Sequence, residues 1–299
     1  MKVLILDDAR IGHRNQSIAF ARLIGAEFHI ASVRYINKRY KPVSYFLDRL
    51  GILSASLFEC NVPDERFDYV VSAGSTCAYP LKVIARRLGI QSVSMMLPKG
   101  YRYDGYDIIF AQSHDNPPER SNVIRIPANF SYPEPKKIYV PSKKSVGIVI
   151  GGDNSVFSID ETALSKALEQ ISRRFGGYEI AVTTSPRTSA RIERMIESLP
   201  CDYRIIYSKT PLNPIPDFLE QCEYVFITQD STSMISEAVG FGDACIEILP
   251  LKSDGRNKFV RLVKSLETDG YLHVFDGTCG NAKRKIDFSH YIRAAGVAG

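Results

Sequence analysis

Hydroxyls and carboxylates crowd one short segment, Asp230, Ser231, Thr232, Ser233, Ser236 and Glu237. It follows an apolar run, Tyr224 to Ile227, and leads into a small-residue helical pattern that ends at Gly240 and Gly242. Hydroxyls at a helix N-terminus can hold a phosphate, because the first-turn amides and the helix dipole favour an anion. Ser233 and Glu237 stand at i and i+4, on one face of a helix. A carboxylate there can accept both hydroxyls of a ribose. The same residues also suit a multiply capped helix with Glu237 on a solvated face.

Three other segments carry comparable chemistry. In "TTSPRTS" (183–189), Thr184, Ser185 and Thr188 surround Arg187. A guanidinium binds a diphosphate in a bidentate fashion; alternatively Ser185 caps a helix, Pro186 takes its first position and Arg187 is solvated. In "IGGDNSVFSID" (150–160), Gly151 and Gly152 let backbone amides approach a bound group, while Asp153 and Asn154 can bond a hydroxyl or a turn. In "DDARIGHRNQS" (7–17), Gly12 permits a tight turn with His13 on it, before a helix expected from near Asn15. An imidazole exchanges protons near neutral pH and can act as a general base, with Asp7 or Asp8 as alternatives. It can equally cap or pack locally. Gly74, Ser75 and Thr76 read as a helix cap or as ligand contacts.

These segments need elements to hold them. Apolar strand-like runs at 2–7, 67–74, 91–97, 106–112, 145–152, 178–185, 203–208, 224–228 and 244–250 alternate with helical patterns at 15–26, 76–89, 160–176 and 187–199. That rhythm predicts α/β architecture, with parallel sheets covered on both faces. It breaks once, at the Pro- and Lys-rich stretch 131–145, which reads as a linker. Two doubly wound, Rossmann-like domains facing a cleft follow, 1–138 and 139–299, the last helix free to pack back on the first domain. Ligands of such sheets bind beyond the carboxyl ends of the strands, where all four segments fall.

Composition narrows the classes. The 299 residues are 44% hydrophobic and 24% charged with a net charge of +5, ordinary for globular domains and compatible with an anionic ligand. No zinc-finger spacing, aromatic RNA-binding string or basic tail points to nucleic acid. The six cysteines lack a C-x-x-C pair and the five histidines lack H-x-x-x-H spacing, so reduced thiols and no protein-bound metal are expected. "MKVLILDDAR" reads as a first strand and not as a signal peptide, and no run is long enough to span a bilayer. A cytoplasmic protein is expected. Residues 34–59 mix Arg34, Lys38, Arg39, Lys41 and Arg49 with Tyr, Phe and Leu at helical spacing. This is either a core helix with a solvated edge or a peripheral contact with the inner face of a membrane.

"GHRNQS", "IGGDN", "TTSPRT" and "TQDSTSMISEA", in this order, resemble the plant mitochondrial-fission proteins of the elongated-mitochondria type and their bacterial relatives, which are labelled as glycosyltransferases. The resemblance runs from about residue 7 to residue 250. More distantly the layout is similar to GT-B glycosyltransferases, especially the peptidoglycan GlcNAc transferase. The resemblance implies transfer of a sugar from a nucleotide-diphosphate donor to an envelope glycan or lipid-linked acceptor, with no tightly bound cofactor. It makes His13 the base, makes Gly151, Gly152, Thr184, Arg187, Ser231 and Ser233 diphosphate contacts, and gives the ribose to Glu237. The N-terminal loop departs from that pattern, with a single Gly before His13. No D-x-D stands at a strand end, so a metal-independent reaction is expected. Two other readings share the architecture. One is a nucleoside-diphosphate-sugar epimerase using Asp8, His13, Asp153 and Asp230 as acids and bases. The other is a non-catalytic, membrane-associated interaction protein related to fission factors.

Overall fold

A computed structural model describes residues 1–253 and 257–297 as two compact units. The first comprises Met1–Tyr132 together with the C-terminal segment from Asp287 on, and the second is Pro133–Ile286.

The first unit is built on strands β1 (Lys2–Asp7), β2 (Glu27–Tyr35), β3 (Phe58–Cys60), β4 (Tyr69–Ser72), β5 (Gln91–Ser94), β6 (Ile108–Gln112) and β7 (Val123–Ile126). Helices α1 (Ile11–Leu23), α2 (Tyr40–Arg49) and α3 (Ala78–Leu88) connect them. The sheet order is β3-β2-β1-β4-β5-β6-β7. All neighbours run parallel except the edge strand β3, which pairs antiparallel with residues 33–35 of β2. The sequence pattern misses β2, β3 and β7, because β2 is mostly exposed or half-buried and alternates next to the sheet edge, and the other two are short. The central strands β1 and β4 are buried almost throughout, as a sheet covered on both faces requires. Leu4, Leu6, Val70, Leu81, Ile84 and Ile109 share one core.

The second unit carries β8 (Ser145–Ile150), α4 (Glu161–Arg174), β9 (Glu179–Thr184), α5 (Ala190–Glu197), β10 (Tyr203–Ile205), α6 (Ile215–Gln221), β11 (Tyr224–Thr228), α7 (Thr232–Gly240), β12 (Cys245–Leu249), α8 (Lys258–Thr268) and β13 (His273–Val274). Its all-parallel sheet has the order β10-β9-β8-β11-β12-β13. Val146, Ile148, Ile150, Leu168, Ile171, Val182 and Phe226 form the core under α4. Asp160, Ser189, Ser231 and Asn257 each cap the helix that follows. The C-terminal helix α9 (Phe288–Ala294) belongs to the first unit, where Phe288 stacks on Phe130 with ring centroids 4.9 Å apart.

The division falls after Tyr132 and not after 138, and Asp217 explains why. Its carboxylate, buried in α6, accepts four backbone N–H groups, from Lys136 (2.8 Å), Lys137 (3.0 Å), Ile138 (2.7 Å) and Tyr139 (3.2 Å). The expected linker is therefore an ordered strap of the second unit. Asp217→Ala leaves four donors without their acceptor, so a loss of about 3 kcal/mol or more is expected. Urea melts followed by the second unit's signals measure it, and an unchanged midpoint would remove the strap role.

Both units reverse their strand order between the first and fourth strands, β1 and β4 in one, β8 and β11 in the other. A crevice opens beyond the carboxyl ends at such a switch point. No described helix is long and apolar enough to cross a membrane.

Candidate functional site

In the first unit the register pairs Leu6 with Ser72, so residues 7–9 and 73–75 emerge side by side at the switch point. Asp7 ends β1 and accepts the amide of Ala9 at 3.0 Å, with Ala9 in the left-handed region at φ 65. That turn starts α1 at Ile11, four residues before the expected Asn15. Gly12 and His13 are thus helical, and the tight turn belongs to Ala9. Gln16 is buried one turn in and donates to the Gly12 carbonyl at 3.2 Å.

His13 projects from the first turn of α1. Its Nδ1 lies 3.1 Å from both carboxylate oxygens of Asp8, whose side chain is buried. An ionised carboxylate only accepts, so the contact selects the tautomer with a proton on Nδ1, which in the neutral ring leaves the lone pair on Nε2. The ring covers Gly74, which has φ +82; a Cβ there would stand 2.2 Å from the imidazole Cε1. Gly74 is therefore needed both for its backbone and for the space its absent side chain leaves. Asp7 is engaged with the Arg14 guanidinium, which makes Asp8 the acid that orients the imidazole.

One neighbour has no local signal in the sequence. Lys41, on α2, donates to Ser75 Oγ at 2.9 Å. Burial lowers its pKa, as does Arg10, while Asp8 acts in the opposite sense. Ser75 is a lysine partner and not a helix cap; α3 starts at Ala78 without a side-chain cap.

In the second unit Ile150 pairs with Thr184 and Ile227 with Val149, so the loops after β8, β9 and β11 leave one edge together. Asp230 ties them. Its buried carboxylate accepts Thr228 Oγ1 at 2.7 Å, the Gly152 amide at 3.1 Å and Arg187 Nη2 at 2.6 Å. Burial still pushes its pKa up, against these three donors. Thr228 Oγ1 also accepts the Gly151 amide at 2.7 Å. A Cβ on Gly151 would lie 2.1 Å from the Asp230 carboxylate, and one on Gly152 would lie 2.0 Å from the Arg187 carbonyl. The Gly-Gly pair thus serves close loop packing, and both amides are occupied within the protein.

Thr184 is also turned inward, donating to Glu193 and accepting the Tyr207 amide at 2.8 Å. Ser185 caps no helix, because α5 begins at Ala190 behind Ser189. Arg187 therefore sits in a loop, its side chain 45% exposed beyond the Asp230 contact. Asp153 is exposed and accepts the Ile159 amide.

A pocket of about 280 Å³ opens over this knot, lined by Asn154, Arg187, Asp230, Ser231, Thr232 and Ser233 among others. Ser231 caps α7 through Met234 N at 3.4 Å. The start of α7, two further hydroxyls and the free side of a guanidinium thus converge on one cavity, a set suited to an anion. Glu237 does not line it but follows Ser233 by four residues, about 6 Å along the helix axis. Among the described residues nothing pairs with its carboxyl, and burial pushes its pKa up to about 7.

The first unit holds a carboxylate-oriented imidazole and the second an anion pocket, each on its own doubly wound sheet. The sequence model of the mitochondrial fission ELM1 family matches residues 11–297. The chain belongs to that family. This ELM1-family protein is 23% identical to an uncharacterized protein of Rickettsia prowazekii (strain Madrid E), with 81% of each chain covered. Among solved structures it is similar to the glycosyltransferase SnogD from Streptomyces nogalater (TM-score 0.51, 13% identity, 100% of this chain and 94% of that one). The spinosyn forosaminyltransferase SpnP gives a TM-score of 0.53 at 15% identity, over 100% and 94% of the two chains. A Listeria monocytogenes protein assigned as a UDP-N-acetylglucosamine 2-epimerase gives 0.51 at 12% identity, over 99% and 94%. At such identities the likeness establishes the fold, which is GT-B-like.

Proposed function

We propose that this ELM1-family protein transfers a sugar from a nucleotide-diphosphate donor to a hydroxyl of a glycan or lipid-linked acceptor. The observation that carries the reading is the convergence of Arg187, Ser231, Thr232 and Ser233 on one pocket at the start of α7, with an unpaired Glu237 one turn on. The diphosphate sits at the helix start, where Arg187 and the first-turn amides meet its charge as the sugar–oxygen bond breaks. The ribose hydroxyls donate to Glu237. Asp230 is a positioning residue that holds the three loops and aims Arg187. His13, its Nδ1 proton held by Asp8, accepts the acceptor's hydroxyl proton at Nε2 while that oxygen attacks the anomeric carbon. Glycosyltransferases and a nucleotide-sugar epimerase of this fold support the class of donor.

Thermal melts against UDP-, GDP-, dTDP- and CMP-linked sugars, with the free nucleotides as controls, test the donor site. A clear rise with one base class is expected, since a ligand that binds only the folded state raises Tm by mass action. Affinity for that nucleotide should also climb about tenfold between pH 6 and pH 8, because ribose hydroxyls donate to the ionised form of a carboxyl titrating near 7. In Glu237→Gln that slope should flatten. No shift at millimolar ligand would overturn the donor site, leaving the non-catalytic reading. Conversion of donor alone into a new sugar would establish epimerisation in place of transfer.

A further inference from the structure

We infer that the outer face of α2 is a docking surface for an anionic lipid membrane. Eleven large apolar side chains of the described residues are more than a third exposed, and five of them fall between residues 36 and 52: Ile36 (55%), Val43 (40%), Phe46 (62%), Leu50 (58%) and Ile52 (47%). Val43, Phe46 and Leu50 follow helical spacing, one stripe along α2, and Ile36 and Ile52 flank its two ends. Arg39 continues the stripe one turn before Val43, and Arg49 and Lys38 lie at its flank, all three exposed. Among the described residues no carboxylate pairs with these three cations.

The opposite face explains why the outer one is left bare. Ser44 is buried, hydrogen bonded to the hydroxyls of Tyr35 (3.0 Å) and Tyr101 (2.9 Å). Tyr45 stacks on Tyr101 with centroids 4.3 Å apart. Asp48, the single acid between residues 35 and 58, is buried against Lys82 Nζ at 2.6 Å and accepts the Arg102 amide. The inner face, Ser44 and Asp48 with the partly buried Tyr40, Tyr45 and Leu47, pins the helix on the core, and the outer face turns further apolar and cationic side chains to solvent. The exposed cations Lys38, Arg39 and Arg49 around these apolar side chains, in a segment whose single acid is buried, are complementary to anionic headgroups over acyl chains. A second copy of this chain would satisfy the apolar side chains but would bring another set of unpaired cations to the same face.

The same helix carries Lys41 to Ser75, beside the Asp8–His13 pair. If the transfer reaction proposed above holds, docking by α2 brings the general base to the lipid surface, and the acceptor class is a lipid-linked hydroxyl. The docking itself stands without that reading.

Flotation of the full chain with liposomes tests it. Binding to phosphatidylcholine vesicles containing about 30% phosphatidylglycerol is expected, at least about tenfold stronger than to phosphatidylcholine alone and weakened by added salt. Phe46→Ser with Leu50→Ser, and separately Arg39→Glu with Arg49→Glu, should each lower binding about tenfold or more while leaving Tm and the nucleotide-induced shift unchanged. Absence of the wild type from anionic vesicles, or equal flotation of the variants, would overturn the surface. So would a dimer by sedimentation that Phe46→Ser turns into a monomer with vesicle binding intact. Loss of vesicle binding with the nucleotide shift kept removes the docking alone. The converse removes the donor site alone.

Discussion

His13→Ala is expected to lower turnover by about two to four orders of magnitude, the range by which a positioned general base accelerates proton transfer. Nucleotide affinity should not change, because no donor contact involves His13. Stability should fall by about 1–3 kcal/mol, since the buried Asp8 carboxylate loses a partner, so turnover is compared on the folded variant. The loss should therefore fall on kcat, with KM for the donor kept. Asp8→Asn offers an amide that can donate to Nδ1 as well as accept from it, which frees the wrong tautomer. It should cost less than the alanine at position 13 and alter the pH profile of kcat. Gly74→Ala makes the same point from the other side. The added methyl would stand 2.2 Å from Cε1 and must push the ring away from its place, so turnover should drop although both reacting groups remain. Steady-state rates with the donor picked out by the thermal melts decide this, and wild-type turnover in His13→Ala would remove the base assignment.

Asp230→Ala should cost both stability and binding. The carboxylate has no exposed surface, and its loss leaves the Gly152 amide and the Thr228 hydroxyl without their acceptor. Breaking a buried network of this kind costs about 3–5 kcal/mol. Arg187 also loses the contact that aims it, so the nucleotide-induced shift should vanish. Arg187→Ala separates the two effects. Half-exposed and paired on one side only, Arg187 should matter little for folding and much for the diphosphate. Chemical denaturation and nucleotide titration of the two variants measure the split. Equal destabilisation by both would mean that Arg187 is a structural partner of Asp230 and not a ligand contact.

The α/β class, most of the buried strands and the start of α7 are legible in the chain without its fold. Each of these is a local consequence of chain chemistry: apolar runs of strand length, helical spacing, and a serine at Ser231 that caps the turn behind it. The sequence also singles out Ser231, Ser233, Arg187, His13 and Asp8, because small polar groups after an apolar run fall at a strand's carboxyl end. Which of those groups remain available for a ligand was decided by tertiary structure. Gly151, Gly152 and Thr184 looked like phosphate contacts, yet their donors and acceptors are satisfied by Thr228, Asp230, Glu193 and Tyr207. Asp230 meets Gly152 across 78 positions of chain, and Lys41 meets Ser75 across 34. No periodicity or spacing encodes such meetings, because they depend on which strands become neighbours at a switch point. The same holds for Asp217, whose four amide contacts turn a stretch that reads as linker into part of a domain. Composition along the chain reports what a segment could bond. Only the folded sheet settles which of those bonds the protein has already made for itself.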